Sequence, residues 1–221
     1  MPSVGAWCAM SEQMPDLTIR DYVERLAGDA PAPGGGSAAA LAGALAAASA
    51  RMVGSFTVGK EKYADVEAEI REHLEEIDAL CEELLALTHE DVVAFGAVGE
   101  AYGMRRDTDE EKEARSAAIQ EALKEAASVP LHLVDACTRL AIHLKPLALR
   151  GNQNLVSDVG VAAKLCHAAA ECAWLNVEVN LALIDSEAFV TAKRARLQGM
   201  LRECQKLCDD TWWAVSQKVT G

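Results

Sequence analysis

Apolar positions recur at intervals of three and four residues along most of the chain, the period of helices that bury one face. Over residues 63–102 they run Val66, Ile70, Leu74, Ile77, Leu80, Leu84, Leu87/Thr88, Phe95, Val98 and Tyr102. One long helix follows, with a single anomaly: Asp91 falls where the stripe calls for a core residue. The strand-like alternation of apolar and polar positions is absent. A capping box over residues 18–21 opens a first short helix that stops at Gly28, and Ser37 is placed to cap a second, apolar helix. A break over residues 57–62 precedes the long third helix. Thr108 with Glu111 forms another capping box, opening a fourth helix that ends near Gly151 and that Pro130 is expected to kink or split. Ser157 or Asp158 caps a fifth reaching about Ile184, with an inward stripe of Leu165, Ala169, Cys172, Asn176, Val179/Asn180 and Leu183. A last helix starts at Asp185-Ser186 and runs to near Lys218.

Long helices joined by short connections predict an all-α fold, a bundle of long antiparallel helices with one kinked near Pro130, in one domain over residues 16–221. Residues 1–15 show no periodicity and are expected to be a flexible extension. The hydrophobic content of 51% is ample for a core, and an aromatic share of only 5% points to close helix contacts through small side chains. Trp174, Trp212 and Trp213 read as core or subunit contacts.

The net charge of -13 argues against nucleic-acid partners, because the field of the chain repels phosphates. Seven cysteines scattered through helical segments, with no charged leader before an apolar run, suit a reducing cytoplasm. Cys204 and Cys208 lie one turn apart, but no second pair or His cluster accompanies them, so they read as structural thiols and no metal is expected. His89-Glu90 is not a zinc-protease motif, since Val93 stands where the second His is needed. The apolar stretch over residues 37–58 is mostly Ala and Gly with Arg51 near its middle, which favours a buried helix over a membrane span.

Four places have the residue types for chemistry or binding. A buried carboxylate at Asp91 is either held by a neighbouring Lys or hydroxyl or kept with a raised pKa for a task. Gly34, Gly35, Gly36 and Ser37 open onto a helix, where free amides and the helix dipole favour an electron-rich group; a plain helix-entry turn explains them equally. Lys60 and Lys62 could clamp a carboxylate-bearing tail or form a solvated basic turn. Asn152, Asn154 and Asp158 lie in a polar loop between apolar helices, able to read a heterocycle or only to satisfy the turn.

Taken together, residues 31–37, 59–63, 90–95, 107–112, 128–131, 151–161 and 175–181 resemble, in order, the family of formiminotransferase-cyclodeaminase C-terminal domains and stand-alone methenyltetrahydrofolate cyclohydrolases. The resemblance implies a homodimer of helical bundles that binds a reduced folate and uses no metal and no cofactor beyond that substrate. It equates Asp91 with the family's essential aspartate, and it implies a pterin pocket at Gly34, Gly35, Gly36 and Ser37. Tail binding would fall to Lys60 and Lys62, and heterocycle contacts to Asn152, Asn154 and Asp158. Where relatives often carry three consecutive lysines, this chain has Glu61 in the middle, and His89 and Glu90 add ionisable groups before Asp91. The implied activity is hydrolysis of 5,10-methenyltetrahydrofolate to 10-formyltetrahydrofolate. The alternatives are an ammonia-releasing formimidoyltetrahydrofolate cyclodeaminase and a non-catalytic folate-binding helical protein.

Overall fold

Six α-helices make up most of the computed structural model, which describes residues 13–220 and contains no strand among them. α1 (Ile19–Leu26) starts where Thr18 accepts the Asp21 N–H, and α2 spans Gly35–Ser55. α3 (Glu67–Gly103) is followed by α4 (Asp109–Arg150), opened by the complete capping box of Thr108 and Glu111. α5 spans Val156–Leu181 and α6 spans Glu187–Thr220.

α2, α3, α4 and α5 close a four-helix ring, each packed on its chain neighbour and α5 returning to α2, while α6 lies along α4 and α5. Short connections make successive helices antiparallel. The N-terminal end of α2 therefore shares one end of the bundle with the later half of α3, the first half of α4 and the last turns of α5. Small residues bring the helices close: a methyl group on Gly43 would meet Leu84 at 2.9 Å, and one on Gly54 would meet Leu74 at 2.6 Å. α2 is long and apolar enough to cross a membrane, yet Ala39, Ala46, Ala47, Ala50 and Val53 are buried against its neighbours.

Several expectations need correction. α2 begins at Gly35, with Gly34 as N-cap, so Ser37 lies inside its first turn and caps nothing. α4 runs unbroken through Pro130 and Pro146. Pro130 cannot donate to the Ala126 carbonyl, and the Asn180 side-chain amide on α5 donates to that oxygen at 3.1 Å instead. α5 is capped by neither Ser157 nor Asp158; Leu155 is its N-cap, and a 3-10 turn Gln153–Leu155 precedes it. Its buried face is Val159, Ala162, Ala163, Cys166, Ala169, Ala170, Ala173 and Val177, so the expected stripe is rotated: Cys172, Val179 and Leu183 are exposed. The reason is that α5 packs on three helices, which bury its small residues on most sides. On α3, Phe95 and Tyr102 are likewise exposed. The tryptophans 174, 212 and 213 lie outside the core. Met14 is buried with Tyr22 and Val92, so the chain is already packed at residue 14; the rest of the expected extension, residues 1–12, lies outside the described residues.

Candidate active site

A cleft of about 270 Å³ opens at the end of the bundle where α2 begins. Gly34, Gly35 and Gly36 form one wall, Asp91 and Phe95 on α3 a second, and Asn176 and Asn180 on α5 a third. Asp91 is thus half-buried at the cleft and not packed in the core. Its Oδ2 accepts the backbone N–H of Ser37 at 2.9 Å. The first N–H groups of a helix lack intrahelical partners, and Gly34 has no side chain to supply one. The α3 carboxylate therefore caps α2 from outside, at the positive end of its dipole.

The two helices meet so closely that glycine is required. A methyl group on Gly36 would lie 2.0 Å from Asp91 Oδ1 and 2.6 Å from its Cγ. On Gly35 it would rest in ordinary contact with the Asn176 amide, at 3.7 Å. Ser37 is fixed on its other side by a hydrogen bond of 2.9 Å between its hydroxyl and that of Tyr22, which ties α1 to the site. Burial holds the Asp91 carboxyl above its ordinary value of 3.8, partly offset by the Ser37 N–H. No cation pairs with it among the described residues. Burial without a cation is what raises a carboxylate's proton affinity.

Gly34, Gly35, Gly36, Ser37 and Asp91 are brought together. Lys60, Lys62, Asn152, Asn154 and Asp158 are not: they lie beyond the other end of α2, whose 21 residues span roughly 30 Å. Asn152 is occupied there with closing the chain. Its backbone N–H donates to Thr57 at 2.8 Å, its side-chain amide donates to the Phe56 carbonyl at 3.0 Å, and its Oδ1 accepts from the Tyr63 hydroxyl at 3.4 Å and the Asn154 N–H at 3.1 Å. Lys60 is exposed, Lys62 lies over the Tyr63 ring at 5.3 Å, and Asp158 is half-buried in the first turn of α5.

Asn176 and Asn180 belong to the cleft and were absent from the sequence-derived site. The signal was available as two amides one turn apart on an otherwise apolar helix, but nothing in the spacing showed which wall they would face. The fold also supplies a companion for Cys204 and Cys208: the Sγ atoms of Cys166, Cys204 and Cys208 lie within 4.8 Å of one another. All three are buried among α4, α5 and α6, where core packing accounts for them as small apolar side chains.

A helical bundle with a glycine-walled cleft, a half-buried carboxylate and two amides is the architecture of an enzyme of small polar molecules. Residues 18–199 match the formiminotransferase-cyclodeaminase family, and the chain belongs to it. It is 43% identical to the methenyltetrahydrofolate cyclohydrolase of Methylorubrum extorquens over 91% of this chain and 97% of that protein. It is 34% identical to the formimidoyltransferase-cyclodeaminase of Mus musculus over 86% of this chain but only 35% of that longer protein. The crystal structure of formiminotetrahydrofolate cyclodeaminase from Thermotoga maritima superposes with a TM-score of 0.77 at 35% identity, covering 93% and 96% of the two chains.

Proposed function

We propose that this protein is a methenyltetrahydrofolate cyclohydrolase, adding water to the bridging carbon of 5,10-methenyltetrahydrofolate and releasing 10-formyltetrahydrofolate. The observation that carries this reading is the Asp91 carboxylate, half-buried, unpaired with any cation among the described residues, and set in the cleft. The resemblance to a cyclohydrolase of matching length favours water over an intramolecular amine as the nucleophile. Asp91 removes a proton from the water as its oxygen bonds to the carbon, giving a neutral tetrahedral adduct. The adduct then loses its hydroxyl proton, the bond from carbon to N5 breaks, N5 takes a proton and the formyl group remains on N10. The net reaction consumes one water and releases one proton. A carboxylate beside the delocalised cation also stabilises the bound charge. Asp91 is the base in this scheme and no step calls on a metal, so dialysis against a chelator is expected to leave the rate unchanged.

Incubating the protein separately with the methenyl and formimino substrates tests the assignment, following the methenyl absorbance and released ammonia. Loss of methenyl absorbance above the solvent rate, without ammonia formation from the second substrate, is expected. Ammonia release at a comparable rate makes it a cyclodeaminase, and folate binding without turnover makes it the non-catalytic binder.

The working form is a cytoplasmic homodimer. α2 and α5 expose Leu45 (52%), Phe56 (53%), Leu175 (55%) and Val179 (66%) along adjoining faces, an apolar surface suited to a second copy. Twofold pairing across it about an axis perpendicular to α2 would lay the two copies of α2 antiparallel and bring Lys60, Lys62 and Asn154 of one copy toward the Asp91 cleft of the other. Sedimentation equilibrium tests the dimer. Recovery of activity on mixing Lys62→Ala with Asp91→Asn chains tests the shared site, and a monomer removes both.

A further inference from the structure

Both side-chain N–H groups of Asn180 are committed: one donates to the Asn176 carbonyl at 2.9 Å, the other to the Ala126 carbonyl at 3.1 Å. The second acceptor exists because Pro130, four residues on in α4, has no N–H to claim it. Asn176 in turn donates its amide to the Cys172 carbonyl at 2.9 Å. Carbonyls only accept, so these partners leave no freedom in the orientation of either amide. The nitrogen of each points to backbone, and both side chains line the cleft. Among the described residues no donor meets either Oδ1, and neither oxygen is sealed from solvent.

Resting on the cyclohydrolase reading, we infer that Asn180, with Asn176, forms with Asp91 an acceptor-only wall that recognises the cationic one-carbon bridge and the donor groups of its attacking water, and that Pro130 is a positioning residue which turns the Asn180 oxygen into the cleft. Three oxygen acceptors around one cavity favour a positively charged amidinium over a neutral folate of the same shape. A water that donates one hydrogen to Asp91 and the other to an amide oxygen keeps a lone pair for the carbon. Proline in the middle of a 42-residue helix is otherwise a liability, and here the carbonyl it vacates becomes the anchor of a cleft residue.

The test compares KM for 5,10-methenyltetrahydrofolate with Ki for tetrahydrofolate, which carries no cationic bridge, in wild type, Asn180→Leu and Pro130→Ala. In Asn180→Leu, KM is expected to rise about 10-fold while Ki moves less than about 2-fold, the loss of a hydrogen bond to a charged partner. Pro130→Ala restores an N–H that competes for the Ala126 carbonyl and frees the Asn180 amide. It is expected to weaken the same discrimination while the melting temperature holds or rises, which a purely structural proline would not do. Equal rises in KM and Ki, or wild-type discrimination in Pro130→Ala, overturn the inference. Absence of wild-type turnover removes the cyclohydrolase reading itself, whereas normal wild-type turnover with unchanged ratios in the variants removes only the acceptor wall.

Discussion

Gly36→Ala probes the contact on which the site is built. Its new methyl group would sit 2.0 Å from Asp91 Oδ1, 2.6 Å from Cγ and 2.8 Å from Oδ2, where about 3.3 Å is the closest comfortable approach of carbon to oxygen. Either α2 retreats from α3 or the carboxylate swings away by more than about 1 Å. Both routes break the 2.9 Å bond to the Ser37 N–H. Loss of the cap costs about 1 kcal/mol and the overpacking about 1–3 kcal/mol. The sum, about 2–4 kcal/mol, corresponds to a fall in melting temperature of roughly 4–16 °C for a chain of this size. Displacement of a catalytic group by about 1 Å also lowers turnover by about 10². Gly35→Ala is the control for stability, since its methyl group finds ordinary contact at 3.7 Å from Asn176. Thermal melts and the methenyl absorbance assay on both variants decide the matter. Wild-type stability and turnover in Gly36→Ala would refute the proposed geometry.

Asp91→Asn keeps an oxygen for the Ser37 N–H but no base, so turnover should fall by about 10² to 10⁴ with the fold intact. The raised native pKa of Asp91 means that its ionisation disfavours the folded state as pH climbs from 3.8 through the native value, with the penalty constant above. The Asn variant should therefore melt no lower than wild type at pH 7, and the acid limb of wild-type kcat/KM should lie above 3.8; a limb at or below it contradicts the buried base. His143, whose Nδ1 meets that of His73 at 3.0 Å across α3 and α4, is held below its ordinary 6.5 by burial and by His73. The unfolded chain then binds more protons, so stability present above pH 6.5 is lost on acidification; melts of His143→Asn between pH 5 and 7.5 should show a shallower slope. Cys172 is exposed while Cys137, Cys166, Cys204 and Cys208 are buried, so Cys172→Ser should remove one fast-reacting thiol from an aromatic-disulfide titration and leave the slow phase, released on denaturation, unchanged.

Local chemistry decided much of this protein on its own. The Thr18 cap and the Thr108 capping box place helix starts within a residue, because a cap is set among a few neighbouring residues. The three-to-four spacing makes α3 one long helix, and Asp91 stands out as a carboxylate on its apolar side. What lay beyond the sequence is each partnership between distant segments. α2 starts at Gly35 and not at Ser37 because its acceptor comes from Asp91, 54 positions along. α4 continues through Pro130, and it is Asn180, from another helix, that satisfies the carbonyl this proline leaves open. The lysines and the 152–158 loop carry plausible binding chemistry in sequence, but α2 is a rigid rod that holds them at the far end of the bundle from Asp91. Periodicity specifies which way a side chain leaves its own helix, whereas a cleft is set by which helices meet there and how closely their backbones approach.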